Sequence, residues 1–246
     1  MAYSLSELEA HRRTFREGAR AAFLRDGPMI DLDLANELRR PNTDQRCGIN
    51  FVCRPTTEIR KAITGIQKHL NNLEPEQYYY PELDIHLTLL EMCHSRMPQE
   101  VIEIANDLTS KLLSLFQDVA SFTLYSPALS LDRRGCALTF LPSNDTLQLS
   151  RDLLAIRLRD SGIPLAPRYK ATSAHVSIMR YVLQPKCDRH SWVQTVSDIL
   201  LDATVQWQVS EVWMTWGPNW YGMRNRIQQA GPFQLRSNDN KSLLSG

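Results

Sequence analysis

The sequence predicts an α+β fold built twice, a duplicated bilobal arrangement whose two lobes are related by a pseudo-two-fold axis. Two observations carry this. Strand-spaced and helix-spaced apolar segments alternate along the chain, giving β-α-β-α-β and then β-α-β-α-β. Shifting the chain on itself by 89 residues lays His86 on His175, Thr88 on Ser177, Tyr80 on Tyr169 and Phe51 on Phe140. Two copies of such a unit pair naturally about a two-fold axis, which sets equivalent strands together.

Residues 1–46 precede the repeat and read as a helical extension. Ser4-Leu5-Ser6-Glu7 opens a helical pattern with Leu8, Phe15, Ala19 and Phe23, and Gly27-Pro28 ends it. A second short helix is expected over 32–38. The main domain spans 47–236, with lobes of 47–132 and 133–236, and 237–246 reads as a disordered tail. In the first lobe, strands are expected at 48–53, 83–92 and 122–131. Helices at 56–73 and 98–116 carry Ile59, Ile63, Ile66 and Leu70, and Val101, Ala105, Leu108 and Leu112, on one stripe each. In the second lobe, 136–141 and 174–183 read as strands. Asp145 with Gln148 resembles a capping box that starts a helix reaching 159. A helix over 188–201, one long strand over 205–216 and a last strand over 227–235, interrupted by Gly231-Pro232, complete the count.

Composition narrows the function. The chain has 246 residues, 43% hydrophobic and 22% charged, with a formal net charge of +1. That suits an ordered globular protein and gives no strongly basic surface for long duplex nucleic acid. A small phosphate ligand needs only a local set of donors. The five cysteines stand apart with no C-x-x-C pair, which argues against a zinc site or a disulfide framework and for a reducing compartment. The charged N-terminus has no apolar signal core, and no segment is long enough to span a membrane. A monomeric cytoplasmic protein is expected, with no metal and no cofactor.

The repeated stretches HLTLL (86–90) and HVSIM (175–179) hold the chemistry. Side chains alternate along a strand, so His86 and Thr88 share one face, as do His175 and Ser177. With the lobes paired, two imidazoles and two hydroxyls converge on one cleft. Imidazole titrates nearest neutrality, so one can accept a proton while the other donates one. Hydroxyls can donate to the oxygens of a phosphate where charge builds up.

His86-Leu87-Thr88-Leu89 and His175-Val176-Ser177-Ile178 resemble the paired H-x-[T/S]-x motifs of the two-histidine phosphoesterase superfamily. The resemblance covers about 48–235. It implies a bilobal fold with antiparallel sheets lining a central groove and helices outside. It also implies His86 and His175 as the acid–base pair and Thr88 and Ser177 as the phosphate donors. The activity implied is metal-independent hydrolysis of a 2′,3′-cyclic phosphate on a nucleotide or RNA end. The alternatives are a 2′-5′ oligonucleotide phosphodiesterase or RNA ligase-like activity, and a non-catalytic module that binds a nucleotide or RNA end.

Four further residues are candidates for substrate contact. Tyr181 has the parity to line the groove. Arg180 follows the second motif, but strand parity puts it on the opposite face unless a bulge intervenes. Tyr80 and Tyr169 sit six residues before each histidine and could flank the groove. Asp84 reads as a local hydrogen-bond partner of His86, and Trp213, Trp216, Trp220 and Tyr221 read as core packing rather than a stacking platform.

Overall fold

The computed structural model describes residues 5–168, 170–218 and 228–237. In chain order its elements are α1 (Leu5–Asp26), α2 (Leu32–Arg39), β1 (Cys47–Cys53), α3 (Thr57–Leu73), β2 (Tyr78–Tyr79) and a 3-10 turn (Glu82–Asp84). Then come β3 (Leu87–Arg96), α4 (Pro98–Phe116), β4 (Phe122–Asp132), β5 (Gly135–Pro142), α5 (Thr146–Asp160) and β6 (Ala174–Arg180). The chain continues with α6 (Arg189–Asp198), β7 (Gln206–Val209), β8 (Glu211–Pro218) and β9 (Gln228–Gln234). Apart from Ser237, the tail expected to be disordered lies outside the described residues.

Local chemistry explains most helix boundaries. Thr56 caps α3 by accepting from Ile59 N, and Ile59, Ile63, Ile66 and Leu70 bury one stripe of it. Asp31 caps α2 in the same way. Pro98 opens α4, where its missing N–H costs nothing. The capping box expected at α5 does not form. Asp145 makes no side-chain cap, and Asn144 Oδ1 instead accepts from Thr146 N at 3.0 Å. In α1 the expected apolar face is partly wrong, since Phe15 is 63% exposed. Arg12 and Arg16 turn inward instead and donate to the backbone carbonyls of Ser126 and Leu129 on β4.

Among the described residues all nine strands join one sheet, in the order β7-β4-β5-β6-β3-β1-β8-β9, with β2 pairing on β6 and every named pair antiparallel. The order is symmetric about the seam between β3 and β6. On one side run β6, β5, β4 and β7; on the other run β3, β1, β8 and β9. The helix following β1 (α3) contacts β6, and the helix following β5 (α5) contacts β3, so each reaches across the seam. Helix α4 covers β1, β8 and β9, while α1 and α6 cover β4. Leu34 and Ala35 of α2 pack separately with Val182, and the larger of the two hydrophobic clusters includes the fully buried Trp192, Phe23, Phe51 and Ile63. Each such side chain contributes about 1.5–3 kcal/mol on leaving water.

Three sequence expectations change here. The strand expected over 205–216 is two strands separated by Ser210. Trp207 on β7 pairs with Leu124 on β4, whereas Trp213 on β8 pairs with Val52 on β1. A single residue thus links one edge of the sheet to the opposite half, which requires the sheet to curl until its ends approach. Alternation along the chain cannot reveal that change of partner. The sheet halves consequently do not follow the 132/133 division. Strand β4 lies with β5 and β6, and β8 and β9 lie with β1 and β3. The strand expected from 83 starts at Leu87, because residues 82–84 take the 3-10 turn. Among the described residues no helix is long and apolar enough to cross a membrane.

Candidate active site

The seam between the halves is made where β3 meets β6, with Leu87 paired to Val176. Both are fully buried and face the helices. The antiparallel register around that pair sets Thr88 opposite His175 and His86 opposite Ser177. Directly facing residues have Cβ atoms about 5 Å apart, and diagonal neighbours stay within reach of an imidazole. All four side chains are half-buried and share the face away from the helices. The row extends on both sides. Thr139 on β5 pairs with His175, and Val52 on β1 pairs with both Thr88 and Trp213. The same β1 register carries Arg54 to a place beside His86.

The two histidines are held differently. His86 Nδ1 lies 2.6 Å from the Asp84 carbonyl, made available by the 3-10 turn. A carbonyl only accepts, so Nδ1 carries the proton and Nε2 is left for the groove. The Asp84 contact is therefore through its main chain, not its carboxylate. His175 Nδ1 lies 3.0 Å from Ser173 Oγ, a group able to donate or accept. Burial lowers the pKa of both imidazoles. In His86 the Asp84 carbonyl opposes the shift and the Arg54 charge adds to it. In His175 the charges of Arg151, Arg180 and His86 add to burial, Asp132 opposes, and the pKa falls to about 4.

The four further candidates separate. Arg180 lies on the groove side, because β6 carries a bulge: Cys136 pairs with Met179 but Ala137 pairs with Ser177, leaving Ile178 extra. Ile178 and Met179 are both buried, and parity inverts after them. The bulge is held from behind, where Gln67 Nε2 and Tyr80 N both donate to the Ile178 carbonyl, at 2.9 and 3.1 Å. At its open end β5 comes so close that a Cβ on Gly135 would stand 2.0 Å from Met179 O. The inversion also corrects Tyr181. It points into the core at 0% exposure, stacks on Phe23 at 5.7 Å and accepts from Trp192 Nε1 at 2.7 Å. Tyr80 is buried to 6% exposure, and its hydroxyl accepts from Arg180 Nε at 3.2 Å, so it supports that guanidinium from beneath. Tyr169, Trp220 and Tyr221 lie outside the described residues.

Residues overlooked in the sequence complete the site. Arg54 stands 5.5 Å over the Trp213 ring and donates to Gln229 Oε1 at 2.6 Å. Trp213 is partly exposed rather than core, whereas Trp216, though partly exposed, packs against the core as expected. Arg151 on α5 is buried directly behind the motifs. A signal for it was present, since it occupies the Leu147, Leu154, Leu158 stripe of α5, where an apolar residue is the rule. Among the described residues no three His, Cys, Asp or Glu side chains gather as metal ligands.

No protein-family model matches the sequence, and no curated protein matches it. Solved structures do. Protein ATU0111 of Agrobacterium tumefaciens, a conserved protein of unknown function, is 14% identical, with 83% of this chain and 99% of that one aligned at a TM-score of 0.56. TT0787 of Thermus thermophilus is 15% identical over 78% and 99% of the chains, at 0.55. Escherichia coli LigT, solved in complex with 3′-AMP, is 14% identical over 77% and 98%, at 0.50. At this identity the likeness is one of fold: this chain has the fold of ATU0111, TT0787 and LigT.

Proposed function

We propose that the chain is a phosphodiesterase that opens a 2′,3′-cyclic phosphate on a nucleotide or RNA end, with His86 and His175 as its acid–base pair and no metal. One observation carries the reading: both imidazoles are anchored at Nδ1 on one face of the β3–β6 seam, each opposite a hydroxyl of the other motif. Anchoring at Nδ1 orients the ring and leaves Nε2 as the reactive nitrogen. Water attacks phosphorus as one Nε2 takes its proton. The bond from phosphorus to a ribose oxygen breaks as the other imidazole protonates that oxygen, leaving a phosphomonoester. Thr88 and Ser177 donate to the phosphate oxygens that gain charge. Arg180 and Arg54, one beside each histidine, add positive charge around them. The complex of LigT with 3′-AMP supports a nucleotide as the ligand class.

The test is hydrolysis of the four nucleoside 2′,3′-cyclic phosphates in EDTA by wild type, His86→Ala and His175→Ala. The expected result is turnover in EDTA that falls about 10²–10⁴-fold in each folded variant. Wild-type turnover that vanishes in EDTA would refute the metal-free chemistry. Nucleotide binding without any turnover would favour a binding module or a 2′-5′-linked substrate.

A further inference from the structure

Arg151 is 4% exposed. A buried guanidinium is costly unless its donors are used, and a leucine would fill the same stripe without that penalty. Yet among the described residues no carboxylate pairs with Arg151. Its donors go to main chain: Nε to Leu89 O at 2.9 Å, Nη2 to Thr88 O at 3.2 Å and Ser173 O at 2.9 Å, and Nη1 to Ala171 O at 3.4 Å. Two of these carbonyls belong to β3 and two to the segment that leads into β6.

That distribution matters because the seam is thin. Strands β3 and β6 share a single paired position, Leu87 with Val176. Beyond it no ladder fixes how far Thr88 stands from His175. The planar fork of Arg151 bridges the two segments at that point, a geometry that the point charge of lysine cannot copy. The bridge is also off-centre. Thr88 faces His175, and Ser173 holds the His175 imidazole. The fixed cation therefore lies behind His175, whereas His86, lowered by burial and by the Arg54 charge, rests on the Asp84 carbonyl that favours its charged form. The other charged or titratable groups acting on His175 are Arg180 from β6, Asp132 from the end of β4, and His86 itself.

We propose that Arg151 is a positioning residue. It clamps the two motif strands across the seam, and by standing behind His175 it makes that histidine the proton acceptor and leaves His86 as the donor. This rests on the phosphodiesterase reading. The experiment combines Arg151→Lys and Arg151→Met, with kinetics on a nucleoside cyclic phosphate and NMR titration of the histidine imidazoles without substrate. Arg151→Lys keeps the charge and loses the fork, so kcat should fall roughly 10²-fold, as expected for misplaced catalytic groups. KM should stay within about threefold, and His175 should titrate close to its wild-type value. Arg151→Met loses the charge, so His175 should titrate higher than in the wild type, burial and the Arg180 charge still holding it below the ordinary value, and the acid limb of kcat/KM should move up with it. Folded Arg151→Lys with wild-type kcat would overturn the clamp. An unmoved His175 titration in Arg151→Met would overturn the role assignment. If the Met variant does not fold, wild-type His175 titrating above His86 overturns that assignment equally. A wild type that hydrolyses no cyclic phosphate refutes the functional reading instead, while the titrations still decide where the charge acts.

Discussion

The two motif regions are alike in sequence and unlike in surroundings. His86 is oriented by the Asp84 carbonyl in a 3-10 turn, beside Arg54 and the Trp213 ring. His175 is oriented by the hydroxyl of Ser173, the residue just before β6, between Arg151 and Arg180. A pseudo-symmetric frame can deliver two equivalent imidazoles to one phosphate, but acid–base catalysis needs them in opposite protonation states. The difference must come from outside the repeated residues, and on the proposal made above it comes from the Arg151 charge and from the different groups at Nδ1.

The largest effect that bears on this comparison lies in the hydroxyls. Thr88→Val and Ser177→Ala should each lower kcat about 10²-fold on a cyclic phosphate. Equal losses would show that the two donors act symmetrically even though the histidines do not, and a loss in only one would place the phosphate nearer that half.

A smaller effect concerns pH. Both imidazoles lie below their usual pKa, His175 at about 4. The active free enzyme has His175 neutral and His86 charged. Activity is lost as pH falls through the His175 value, and lost again as pH rises through that of His86, itself below the ordinary 6.5 or so. The kcat/KM profile should thus be a bell centred on the acid side of neutrality. A plateau extending through pH 8 would contradict the assignment of His86 as acid.

The smallest effect on activity is expected at Tyr181. Tyr181→Phe removes the acceptor of the buried Trp192 N–H and should lower stability by about 1–3 kcal/mol, read by denaturant unfolding. Turnover should stay at the wild-type level, because the ring faces the core. A fall in kcat without a fall in stability would return Tyr181 to the groove.

Much of this molecule was legible before folding. The stripes of α3 and α4 and the runs of β1, β4 and β5 are fixed by local periodicity, since each element buries one face whatever its partners are. The repeated His-x-Thr and His-x-Ser pairs at the 89-residue offset, and the faces they occupy, follow from the same alternation. Tertiary structure decided the rest. The split of the 205–216 run at Ser210 depends on which strands wait at the two ends of a curled sheet, a long-range choice invisible in the run itself. The exchange of Arg180 and Tyr181 between faces depends on one extra residue in β6 opposite β5. The environment of the histidines depends on Arg151, 24 residues before His175 in sequence and in contact with the residues around it only once α5 docks on β3. Alternation and helical spacing are properties of neighbours in the chain, so the sequence alone determined the elements and the motif faces. Register, bulges and buried charge are properties of neighbours in space, and those only the folded sheet decided.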